Sequence, residues 1–241
     1  MRAAVKQLTV KREFPAVRQT RRESILSSNT AASGIGPAAQ SSRRKLMLIA
    51  ANIGVAILFL MELAPGAARY GSTLANLLWM AGAAPMIIFS LIRISPLASR
   101  ADAQSIVATG GMVLLAVLMA PQGESISAVA TVGKAIELLA VVFSQLARLY
   151  LGRRFGLLPA NRGIVRRGPF RLVRHPIYLG WLVLSIGFVM VYPTIRNAAV
   201  LALTAPFMIW RIVLEEQLLN QDGSYREYRG TVRYRLIPGI Y

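Results

Sequence analysis

The chain has 241 residues, of which 55% are hydrophobic, and its formal net charge is +18. It contains no cysteine and one histidine, His175, which excludes disulfides, thiolate nucleophiles, cysteine-based zinc sites and multi-histidine metal centres. A charge this large suggests nucleic acid in a soluble protein, but here the apolar residues gather in runs long enough to cross a bilayer. The basic residues therefore read as loops held on the cytoplasmic face, and no nucleic-acid partner is expected.

Residues 1–45 carry Lys6, Lys11, Arg12, Arg18, Arg21 and Arg22 without a sustained apolar period. They read as a disordered basic cytoplasmic tail, or as an organelle transit segment, against which Glu13 and Glu23 count. Apolar runs then predict spans at Leu46–Ala64, Ser72–Ile92, Ala103–Ala120, Thr131–Leu151, Pro176–Tyr192 and Asn197–Leu214. The fifth is short, so the expected fold is an all-α polytopic membrane bundle of about five to six helices. Residues 46–130 form its N-terminal helical part and 131–241 its functional core. With a cytoplasmic N-terminal tail, the outer loops hold only Arg69 and Arg196, whereas Arg93, Arg100, Arg148 and the arginines from Arg153 to Arg174 lie inside. Both termini are then cytoplasmic.

Some residues do not suit a plain span, because charge at membrane depth is costly and faces the protein interior. Lys134 and Glu137 are spaced as a helical ion pair, and Gln145 and Arg148 follow on the same helix. Arg211 lies inside an apolar run, four residues before Glu215, so the two share a helix face. They form either a structural salt bridge or a cationic anchor beside a carboxylate that reads a polar ligand. Between the fourth and fifth spans, Gly and Pro punctuate a structured loop. Pro176 fits the first turn of the next helix and puts His175 at its start, where unpaired N–H groups attract anionic or polar ligand groups. The C-terminal stretch, with Tyr225, Tyr228, Arg233, Tyr234 and Arg235, is long enough to fold back over the inner helix ends.

The stretch Gly168-Pro169-Phe170-Arg171-Leu172-Val173-Arg174-His175-Pro176-Ile177-Tyr178-Leu179-Gly180 resembles the signature of the isoprenylcysteine carboxyl methyltransferase family, whose wider relatives include phospholipid N-methyltransferases. Arg211, Glu215-Glu216, Leu219, Gly223, Tyr225, Tyr228 and Leu236-Ile237-Pro238 resemble the family's second block in order and spacing. The likeness covers about residues 148–241. It implies an S-adenosylmethionine-dependent methyltransferase with its cofactor at the cytoplasmic face and a lipophilic acceptor entering from the bilayer. Cofactor contacts carried over are Arg162, Gly163, Ile164, Val165, Phe170, His175, Pro176, Ile177, Tyr178 and Glu215. Arg211 corresponds to a residue that handles substrate, and Arg211, Glu215 and His175 form the expected catalytic group, with no metal. Arg162 stands where eukaryotic members often have His, and Phe170 where many have Tyr. A carboxylate acceptor needs no general base, since Arg211 can orient it. An amine acceptor must lose a proton, with His175, Glu215 or Glu216 as candidates. The competing readings are phospholipid amine methylation, a membrane reductase using a nicotinamide cofactor, and a non-enzymatic membrane protein or transporter.

Overall fold

The computed structural model describes residues 88–89, 92, 94, 96–100, 102–123, 125–156 and 158–241. The basic tail and the span expected at Leu46–Ala64 lie outside the described residues, as does nearly all of the one at Ser72–Ile92. From Ala98 onward the order is strand β1 (Ala98–Ser99), helix α1 (Ala103–Val117), α2 (Ala128–Leu151), a 3-10 turn at Gly152–Arg154, β2 (Ala160–Asn161), a second 3-10 turn at Gly168–Arg171, α3 (Pro176–Val191), α4 (Ile195–Leu219) and α5 (Gly223–Thr231).

The helix starts follow from local chemistry. Asp102, Ser127, Thr194 and Asp222 are N-caps whose side-chain oxygens accept from the backbone N–H of Ser105, Ala130, Asn197 and Ser224. α3 starts differently, with Pro176 at its first position and no side-chain cap from His175. Among the described residues, two helices are long and apolar enough to cross a membrane, Ala128–Arg154 (counting the 3-10 turn) and Ile195–Leu219. With 16 residues, α3 extends about 24 Å at 1.5 Å per residue, short of a hydrocarbon core of about 30 Å. α4 runs five residues beyond the expected end at Leu214. The reason is that Glu216 is buried and paired rather than marking an exit to water.

The helices pack in antiparallel pairs. On α2 and α3, small residues face one another: a Cβ added to Gly133 would come within 2.9 Å of the Gly187 carbonyl oxygen, and one added to Gly180 would strike Ser144. Backbones can approach this closely only where side chains are nearly absent. α1 and α4 are latched at both ends. Asn197 Oδ1 accepts from Ala120 N (3.0 Å) while its Nδ2 donates to Ala120 O (2.9 Å). At the other end Arg100 Nη1 donates to Gln217 Oε1 (2.7 Å) and Nε to Asp102 (2.6 Å). Between them Gly111 leaves room for the Phe207 ring. Pro206 lies inside α4 and withdraws one N–H from its ladder.

A feature outside the all-α expectation is a two-residue antiparallel ladder pairing Ala98 with Asn161 and Ser99 with Ala160. It ties the chain before α1 to the loop after α2, reinforced by Ile94 N donating to Arg153 O and Arg153 Nε donating to Ile92 O. The start of α1, the end of α2, the start of α3 and the end of α4 thus share one end of the bundle.

Candidate functional site

At that end, three segments converge on the last turns of α4. Successive residues on an α-helix differ by about 100° in direction, so the adjacent acids Glu215 and Glu216 point to different neighbours. Glu215 stays on the face of Arg211, with Oε2 3.6 Å from Arg211 Nη1, and accepts from the Tyr178 hydroxyl at 3.1 Å. Arg211 is almost fully buried, whereas the Glu215 side chain keeps about a quarter of its surface. The pair that the four-residue spacing suggests is therefore present, with Tyr178 of α3 as third member.

Glu216 is the more heavily engaged acid. Its Oε1 accepts from Arg174 Nε (2.8 Å) and the Tyr225 hydroxyl (3.1 Å) and lies 3.3 Å from His175 Nε2. Its Oε2 accepts from Arg235 Nε at 2.7 Å. One carboxylate thus joins α4, the loop before α3, α5 and the C-terminal segment. Arg174 adds bonds from Nη1 to the carbonyls of Val232 (2.9 Å) and Arg233 (2.7 Å), and the backbone N–H groups of Arg174 and His175 donate to the carbonyls of Tyr234 and Arg235. The tail folds back over the helix ends, as its length allows, with Leu236 buried against Met208 and Ile212 of α4.

The remaining expected residues fall into two groups. Ile164, Val165 and Ile177 pack against the apolar cluster of Ala147, Phe170, Tyr225, Tyr228 and Val232. Phe170 is buried there, and the Tyr228 hydroxyl donates to its carbonyl at 2.6 Å, so its ring is a packing element with little open face. The 3-10 turn carrying Phe170 begins at Gly168, whose φ of 56° suits glycine and whose missing Cβ admits the Tyr150 ring. Arg162 points elsewhere: its Nε donates to Ile94 O (3.1 Å), and its guanidinium occupies the space left by Gly156. Gly163 N donates to Asn161 Oδ1, while Asn161 Nδ2 donates to Asp222. The structure therefore brings His175, Tyr178, Arg211 and Glu215 together around α4, puts Ile164, Val165, Phe170 and Ile177 on the adjoining apolar cluster, and leaves Arg162 on the ladder side. Pro176 is buried at the start of α3.

The sequence offers Glu216 only as a candidate base, and it does not reveal Arg174, Arg235 and Asn161 as structural partners. The available signal was the doubled acid itself: if Glu215 faces Arg211, Glu216 must face elsewhere and needs its own cations. Tyr225 links the two environments, its ring in the apolar cluster and its hydroxyl on Glu216. Burial, followed by the nearby Glu216 charge, pushes its phenol well above the usual tyrosine range, and burial does the same to Tyr228.

Residues 128–221 match the model of the Isoprenylcysteine carboxyl methyltransferase (ICMT) family. This segment is ICMT-like. The chain is also similar to Protein-S-isoprenylcysteine O-methyltransferase A of Arabidopsis thaliana, 37% identical over 75 residues. That stretch is 30% of this chain and 38% of the relative, so well under half of either is covered. The ICMT-like segment starts at α2, earlier than the two sequence blocks suggest, and closes at Gln221. Glu216 lies inside it, whereas its partners Tyr225 and Arg235 lie outside. Together with the two long apolar helices, the ICMT-like segment marks a membrane protein.

Proposed function

We propose that this protein is an integral membrane methyltransferase that uses S-adenosylmethionine and transfers the methyl group to a lipophilic acceptor, a carboxylate in preference to an amine. The observation that carries this reading is the Tyr178–Glu215–Arg211 cluster beside His175, within the segment that matches the ICMT family.

The residues suit the cofactor's chemistry. A carboxylate has about four acceptor sites, so one bond from Tyr178 and the ion pair with Arg211 leave Glu215 capacity for an ammonium or ribose hydroxyls. Ile164, Val165 and Ile177 offer partly buried apolar surface to an adenine, with Phe170 and Pro176 behind them. Gly163 lies at the edge of the same loop, while Arg162 is turned to the ladder side by its bond to the Ile94 carbonyl. When bound, S-adenosylmethionine supplies an electrophilic sulfonium methyl. The protein's part is then alignment, which governs an in-line displacement. Arg211 orients the acceptor carboxylate and His175 fixes the start of α3 beside it. Because Arg211 is buried among helices, an acceptor reaches it by entering from the bilayer side, which favours a lipid-bearing molecule. Gathering of the arginine-rich segments at one end of the bundle supports a cytoplasmic site with both termini on that side, and residues from about 131 onward as the working core.

Calorimetry of the purified chain with S-adenosylmethionine tests the cofactor. Wild type should bind, and Glu215→Ala and His175→Ala should abolish binding while each still unfolds cooperatively in detergent. Wild-type affinity in both variants rules out the site. Labelled S-adenosylmethionine incubated with host membranes tests the acceptor: label released by mild base indicates an ester, and base-stable label indicates an amine.

A further inference from the structure

Beneath the C-terminal turn lies a cavity of about 700 Å³ whose lining includes Arg174, Arg229, Arg233, Arg235, Ile240 and Tyr241. None of the residues assigned above to cofactor or acceptor lines it. Four arginines line it. Glu216 pairs with two of them, Arg174 and Arg235, and the cavity keeps a net positive charge. Three of the four arginines are held by hydrogen bonds. Arg174 is buried and fixed by Glu216 and two carbonyls. Arg235 donates from Nη1 to the Tyr241 hydroxyl (3.1 Å) and stacks over its ring at 5.0 Å, and Arg229 Nη1 reaches Asn220 Oδ1 at 3.4 Å.

S-adenosylmethionine has a sulfonium, an ammonium and one carboxylate, a net positive charge that this cavity repels. A dianion or a phosphodiester matches it, because guanidinium groups bind phosphate oxygens through paired, charge-assisted hydrogen bonds. We propose that this cavity is a binding site for a phosphate-bearing anion, separate from the methyl-transfer site. Ile240, 80% exposed at the rim, and the exposed Arg229 and Arg233 give the mouth an apolar edge beside cationic groups. That is the surface an anionic phospholipid headgroup would meet, and a free phosphate group would use the same arginines.

The test uses the full chain and two probes. Inorganic phosphate is titrated into protein in neutral detergent, and protein in phosphatidylcholine nanodiscs is compared with protein in discs that also contain phosphatidylglycerol. Binding is followed by calorimetry and by the rise in unfolding temperature. Wild type should bind, and Arg229→Gln/Arg233→Gln should weaken binding about tenfold or more, the loss expected for a charge-assisted hydrogen bond. Both side chains are exposed, so the variant should unfold at the wild-type temperature without the anion; if it does not, the two single variants replace it. Binding of both probes supports the site with free phosphate sufficient, and an effect only in phosphatidylglycerol discs supports it with the lipid as source. Equal binding by wild type and variants, or no response to either probe, overturns the proposal. Displacement of phosphate by S-adenosylmethionine also overturns it, since the cavity would then belong to the cofactor.

Discussion

Along the α2–α3 seam, Gly133, Gly180 and Gly187 let two helices touch by lacking side chains, with the small Ser144 opposite Gly180, while at the site end the Glu216 carboxylate joins four segments. The seam depends on dispersion and shape, and it tolerates no added volume. The Glu216 cluster depends on every partner being present, because a buried charge stripped of one partner remains buried and uncompensated. The difference teaches where each region is fragile: the seam to additions, the cluster to deletions.

The largest effect should come from removing the shared carboxylate. Glu216→Ala should destabilise the protein by about 3–5 kcal/mol, read as a shift in denaturant unfolding in detergent, and should free the tail to proteolysis. A loss below about 1 kcal/mol would show that the cluster behaves like a surface ion pair. Next, Gly187→Val should force the seam apart at a cost of about 1–3 kcal/mol, with Glu216-linked tail protection unchanged in hydrogen exchange. If the tail loosens equally, the two regions are one unit.

Of similar size is Tyr225→Phe, which deletes one hydrogen bond to a charged group at a cost of about 1.5–3 kcal/mol and leaves the apolar ring in place. Its pH signature is a separate test. Burial raises the phenols of Tyr225 and Tyr228 above the ordinary 10.0, so the folded state holds protons that the unfolded state releases. Their contribution to stability is complete below pH 10 and is lost as pH rises beyond it. Ultraviolet titration should show these two tyrosines ionising only with unfolding. The smallest effect is at Asp102, whose carboxyl is held at about 2 by the Ser105 N–H, the Ser105 hydroxyl and Arg100. Because its folded value is depressed below 3.8, its contribution is present above that pH and disappears as pH falls towards 2. Asp102→Asn should therefore lose this contribution at neutral pH and flatten the fall in stability between pH 3.8 and about 2, measured by unfolding from neutral pH to pH 2.

Much of the helical frame was legible because apolar runs mark it: α1, α2, α3 and α4 lie where hydropathy predicts them, and Pro176 announces the start of α3. The expected membrane character follows from the same runs. The Ala98–Asn161 pairing was not legible, since a two-residue ladder has no period to read. Arg100 looked like a marker of topology, and only the fold shows that it bridges α1 and α4 through Gln217. The Arg211–Glu215 pair was readable from spacing, whereas the partners of Glu216 come from positions 9 to 42 residues away, which spacing on one helix cannot reveal.

That separation has a consequence for assembly. In a chain made from its N-terminus, α2 and α3 can meet along their glycine seam as soon as Val191 is complete, whereas Arg174 and His175 must wait 42 and 41 residues for their carboxylate. Arg235 arrives 19 residues later again. The corner that holds the candidate site is therefore the last part of the described fold to close, since its carboxylate and the cations it pairs with are made far apart in time.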